Sequence, residues 1–169
     1  MNKHASPLKS PFKPGSHRKI YDGPLSDPYQ AHAKLSEPCV CKECRAIYRE
    51  GRWQWGAADA RAAETTCPAC LRIREHQPAG YVTMEGEFML QHKDELLQLI
   101  RHLEQREKAE HPLQQIMGIE ERPQKLLVTT TDTHLARGIG RALEQAFHGK
   151  SEYSFSKDDH LLRVRWQRA

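Results

Sequence analysis

All five cysteines of this 169-residue chain fall between residues 39 and 70. Four of them form two Cys-x-x-Cys turns, Cys41–Cys44 within CVCKEC and Cys67–Cys70 within CPAC, with 22 residues between the pairs. Each such turn aims two sulfurs at one point, and two turns folded back on each other supply the four thiolates that tetrahedral Zn2+ takes. Four thiolates leave no coordination position for water, so the metal is expected to hold structure rather than to hydrolyse. Cys39 is left over. It reads as a bystander thiol, as a substitute ligand for Cys41, or as an attacking group during oxidation. The lowered pKa of Cys-x-x-Cys thiols keeps a thiol-based redox sensor or chaperone as the alternative function. An odd set of cysteines crowded into one segment is not the pattern of a secreted disulfide framework, and it points to a reducing cytoplasm.

Groups suited to phosphates and bases surround these turns. Arg45, Tyr48, Arg49, Arg52, Trp53 and Trp55 follow the first turn, and Arg72 and Arg74 follow the second. Guanidinium groups grip phosphate bidentately and aromatic rings stack on unpaired bases, a combination that suits RNA. A ribbon with little core also uses tryptophan to cover its metal, and that is the expected place of Trp53 and Trp55. Farther along, Arg137 and Arg141 stand four apart on an expected helix, away from its apolar stripe. Arg163 and Arg165 alternate on the last expected strand and would share one sheet face. Lys3, Lys9, Lys13, Arg18 and Lys19 precede the first acidic residue, Asp22. Such a run reads as a basic arm for a phosphate backbone or as a solvated terminus. No nucleophile elbow, Walker loop or His-Glu-x-x-His occurs. Asp132 lies near His134 but lacks the partners of an acid–base site, and it is expected to cap a helix. Gly138-Ile139-Gly140 falls mid-helix, where close packing explains it better than phosphate binding does.

These residues are carried by three expected segments. Residues 1–37, rich in Pro, Ser and Lys, have no apolar period and are expected to be a basic arm, disordered by itself. Residues 38–85 are expected to form the zinc ribbon, with a short helix in the Ala-rich WGAADARAAE (55–64) and a strand at YVTM (81–84). Residues 86–169 are expected to form an α+β domain. Helical spacing of Met89, Leu96, Leu97, Ile100 and Leu103 predicts a helix over 88–109. Strands are predicted at 114–121 and 125–131, a helix at 133–148 closed by Gly149, and strands at 152–156 and 161–166. This order predicts helices on one face of a small, largely antiparallel sheet. Hydrophobic residues make up 38% of the chain and charged residues 28%, with a net charge of +4, and no apolar run is long enough to span a bilayer. The N-terminus is basic without an apolar stretch behind it, so no secretory signal is expected.

Residues 39–166 resemble a family of uncharacterised bacterial zinc-ribbon proteins, through CVCKEC, CPACLRIREHQPAG, HPLQQIMGIEE, TTTDTHLARGIGRAL and VRW. That family is distantly similar to the N-terminal part of the archaeal and eukaryotic adaptor for nuclear export of the large ribosomal subunit. The adaptor carries more Cys-x-x-Cys pairs than this chain does. Because the adaptor grips the large subunit, the resemblance implies the ribosome or ribosomal RNA as partner. Stress, dormancy and ribosome assembly are the settings in which such a noncatalytic binder is expected.

Overall fold

The computed structural model describes Asp27, Tyr29 and residues 35–169. The expected arm contacts Lys3, Lys9, Lys13, Arg18 and Lys19 lie outside the described residues.

The cysteine segment folds as a four-stranded sheet of very short strands: β1 (Cys39–Cys41), β2 (Ile47–Arg49), β3 (Arg52–Gln54) and β4 (Ala63–Thr65), in the order β3-β2-β1-β4. β1 is antiparallel to β2 and parallel to β4. Glu50 and Gly51 reverse the chain between β2 and β3, with φ of 54° and 76°. Two consecutive positive φ values match the twist that a two-residue hairpin turn needs, and Gly51 adopts its value without steric cost. The expected helix over 55–64 does not form. Gly56 to Arg61 are exposed throughout, so no apolar face rewards helix formation, and the Asp59 carboxylate instead accepts from the Arg61 N–H at 3.0 Å.

A helix absent from the expectations, α1 (Pro68–Glu75), starts at the second cysteine turn. Cys67 caps it, its sulfur accepting from the Cys70 N–H, and Pro68 opens the first turn, where its missing N–H costs nothing. His76 ends α1 in the left-handed region.

The larger unit is a five-stranded sheet, ordered β6-β7-β5-β9-β8. Its strands are β5 (Gly80–Glu85), β6 (Ile116–Arg122), β7 (Lys125–Thr130), β8 (Lys150–Ser156) and β9 (Leu161–Gln167). β5 was expected at the end of the ribbon. It is instead the central strand of this sheet, antiparallel to β7 and parallel to β9, with every second residue buried. The ribbon therefore ends near His76. Helices α2 (Glu87–Gln91), α3 (Lys93–Glu110) and α4 (Thr133–Phe147) cover one face of the sheet. Val82, Met84, Leu126, Val128, Leu162, Val164 and Trp166 pack from that face against Leu96, Ile100, Leu135, Ile139 and Leu143. The fold is α+β, as its periodicities predict. The single helix expected over 88–109 breaks at His92, whose ring stacks on Phe88 with centroids 4.0 Å apart. Asp132 caps α4, accepting from the Leu135 N–H at 3.0 Å. Among the described residues, no helix is long and apolar enough to cross a membrane.

Candidate metal centre

The β1–β2 turn and the start of α1 bring Cys41, Cys44, Cys67 and Cys70 together, with all four sulfurs within 4.8 Å of one another. Zinc–thiolate bonds of about 2.3 Å in a tetrahedron place the sulfurs about 3.8 Å apart. Cys44 Sγ and Cys67 Sγ stand at 3.7 Å. The surroundings are built for anionic sulfur. The Cys67 N–H donates to Cys41 Sγ at 3.3 Å, and the Cys70 N–H donates to Cys67 Sγ at 3.4 Å. The Cys41–Cys44 turn closes through the Arg45 N–H on the Cys41 carbonyl at 2.9 Å, with Arg45 at a φ of 67°. Cys41, Cys67 and Cys70 are buried, and Trp53 and Leu113 pack against the cluster. Trp53 thus takes the covering role expected of it. Trp55 does not; it is 37% exposed and hydrogen-bonded to α3.

The sulfurs perturb one another through hydrogen bonding and burial. Hydrogen bonding from Cys67 lowers the Cys44 thiol to about 5. The same bond, with burial, raises Cys67, and burial pushes Cys70 up to about 12. The shared hydrogen bond thus favours the thiolate at Cys44 and disfavours it at Cys67. A divalent ion removes that conflict by stabilising all four thiolates at once. The four residues can hold a metal ion, with no ligand position left over. Cys39 is buried on β1 outside this group, and burial raises its thiol.

The candidate RNA contacts divide into distinct environments. Arg49 and Arg52 are register partners across the β2–β3 hairpin, both exposed, and neither forms an ion pair among the described residues. Arg45 and Arg74 are exposed and lie loosely beside Glu64 (3.9 Å) and Glu43 (3.7 Å). Arg137 and Arg141 lie on either side of Gly140 in α4, against which the hydroxyl of Tyr153, a residue 39% exposed, packs. Arg72 is a correction. Its side chain is 3% exposed, its Nη2 donates to Asp27 at 2.7 Å, its Nη1 donates to the Gln77 carbonyl, and it lies over the Tyr29 ring. It braces the fold and cannot reach an outside phosphate. Asp27 and Tyr29 were expected in the free arm, yet they pack on α1, with the Tyr29 hydroxyl donating to Glu75 at 2.6 Å. Asp27 also faces His160 of the β8–β9 turn at 3.9 Å, so it ties ribbon and sheet together. Sequence reasoning missed this junction, because its partners are 45 or more residues apart.

Charge is segregated along the chain. Residues 35–169 contain 20 Lys and Arg against 20 Asp and Glu, so the net +4 arises entirely within the first 34 residues. Comparison with protein-family models, curated proteins and solved structures gave no match in any of the three.

Proposed function

We propose that this is a noncatalytic, zinc-stabilised cytoplasmic protein that binds the ribosome or its RNA. The carrying observation is the opposed pair Arg49 and Arg52. Like charges directly opposite each other on a hairpin are destabilising, and among the described residues neither guanidinium forms an ion pair, the nearby Glu37 carboxylate accepting instead from the Gly51 N–H at 3.0 Å. A phosphate bound between the two guanidinium groups would relieve them through charge-assisted bonds. The segregated positive charge of the N-terminal segment and the packing of the Tyr153 hydroxyl at Gly140, between Arg137 and Arg141, support the same reading. Zinc is the ion that four thiolates in a tetrahedron favour, and its role is to fix the hairpin that carries these arginines. The other reading, a thiol-based redox sensor or chaperone, has less support, because the spare thiol Cys39 is 2% exposed. Stress, dormancy and assembly are the settings in which the ribosome reading would operate.

Sedimentation with purified ribosomal subunits tests the proposal. The full chain should co-sediment at low salt, and replacing Arg49 and Arg52 together with alanine should reduce the bound fraction without loss of zinc. Full binding by the double variant would remove the hairpin from the account, and absence of binding by the unaltered chain would remove the ribosome.

A further inference from the structure

Where the ribbon meets the larger unit, a groove of about 670 Å³ opens between Trp55 and α3, with Ile116 and Ile119 of β6 also lining it. Trp55 is fixed by its edge, its indole N–H donating to the Lys108 carbonyl at 2.6 Å. With that polar edge satisfied, its remaining exposed surface is aromatic ring. Arg101, Gln105 and Lys108 also line the groove, at spacings of four and three that place them on one face of α3. Neither Arg101 nor Lys108 forms an ion pair among the described residues. The acidic group in the lining, Glu104, is engaged, accepting from the Ile116 backbone N–H at 2.5 Å. That contact also occupies an edge N–H of β6 that a peptide adding to the sheet would need. The groove thus offers a fixed aromatic surface, two cations and an exposed amide, and one edge N–H of β6 beside it is already engaged.

We propose that this groove takes an unpaired nucleotide of single-stranded RNA. The base stacks on Trp55, Gln105 meets the base edge, and Arg101 and Lys108 hold the flanking phosphates. The proposal rests on the RNA-binding reading above and adds a site, at the junction of the two units, distinct from the Arg49–Arg52 hairpin.

The test titrates the full chain with single-stranded adenosine and uridine decamers, followed by tryptophan emission and by filter binding, with ribosomal subunits measured in parallel. Quenching is expected in the unaltered chain and should be absent in Trp55→Ala, with decamer affinity lowered roughly 5- to 150-fold, the range for loss of one stacked base. Arg101→Ala, an exposed change that leaves Trp55 in place, should weaken decamer binding and reduce its salt slope by about 0.7. If Trp55→Ala fails to hold zinc or to fold, Arg101→Ala decides alone, and unchanged affinity there overturns the proposal. Decamer affinity that Trp55→Ala leaves intact, with ribosomal subunits still bound, overturns the groove and spares the wider reading. Absence of binding to decamers and subunits alike overturns both. Quenching by an extended peptide of alternating Val and Glu, with none by RNA, would make this a peptide groove and overturn the proposal as well.

Discussion

Serine in place of Cys44 or Cys70 removes one sulfur from a set of four with no fifth ligand grouped with it among the described residues. Structural zinc contributes on the order of 10 kcal/mol to the folding of small cysteine modules, so either change should abolish metal binding and unfold residues 38–77. Serine at Cys39 should leave the metal in place. Elemental analysis and thermal melts of the three variants check this, and a reduced, unaltered chain free of metal would contradict it. The ligands were legible because two close pairs need no tertiary information to be recognised. Arg72 was not legible, since its sequence neighbours resemble those of any exposed helical arginine. Only the folded chain brings Asp27 to it, across 45 positions, and leaves the Arg72 Nε buried without a hydrogen-bond partner among the described residues. Removing one member of a buried ion pair strands the other, at a cost of about 3 kcal/mol. Asp27→Ala should lower unfolding stability by that order in urea titrations. Equal stability would mean that the junction contributes nothing.

Periodicity placed most helices and strands of the larger unit correctly because the central strands and the two longer helices each bury one face. Thr133–Phe147 and Leu161–Gln167 show it most clearly, with apolar residues at helical and alternating spacing respectively. Partnership between strands was not legible. Nothing in YVTM says that it will lie between β7 and β9 rather than close the ribbon, because that choice depends on residues more than 40 positions away. Alanine-rich composition misled at 55–64, where helix propensity has no buried face to act with. Close packing of α4 on the sheet sets the tolerance at Gly140. A Cβ there would meet the Tyr153 hydroxyl and Val164 Cγ1, each at 2.8 Å. Gly140→Ala should therefore destabilise by about 1–2 kcal/mol, overpacking outweighing the gain in helix propensity. A rise in melting temperature would contradict that contact. On the open face of the sheet, Lys125 at 3.0 Å and Arg165 at 2.8 Å hold the Glu85 carboxyl below its ordinary range. A folded pKa below the unfolded one gives stability that is present above the ordinary glutamate range and is lost as pH falls through the folded value. Glu85→Gln should flatten that acid limb of the stability profile, as read by melts between neutral and acidic pH. An unchanged acid limb would show that the pair is not formed in solution.

At the scale of the whole chain, a charge-neutral folded body is joined to a segment that holds all the excess positive charge. That division was visible in the sequence. How the body divides its own arginines was not, since burial removes Arg72 while the hairpin register sets Arg49 against Arg52. If the partner is RNA, each phosphate contact should contribute roughly −0.7 to −0.9 to the slope of log affinity against log salt. The most direct measurement is that slope for ribosomal subunits, taken by filter binding with the full chain and with a chain lacking residues 1–20. Loss of Lys3, Lys9, Lys13, Arg18 and Lys19 should flatten the slope by several units, and zinc content should stay unchanged because all four ligands lie beyond residue 40. Equal affinity and equal slope with and without those residues would contradict the account.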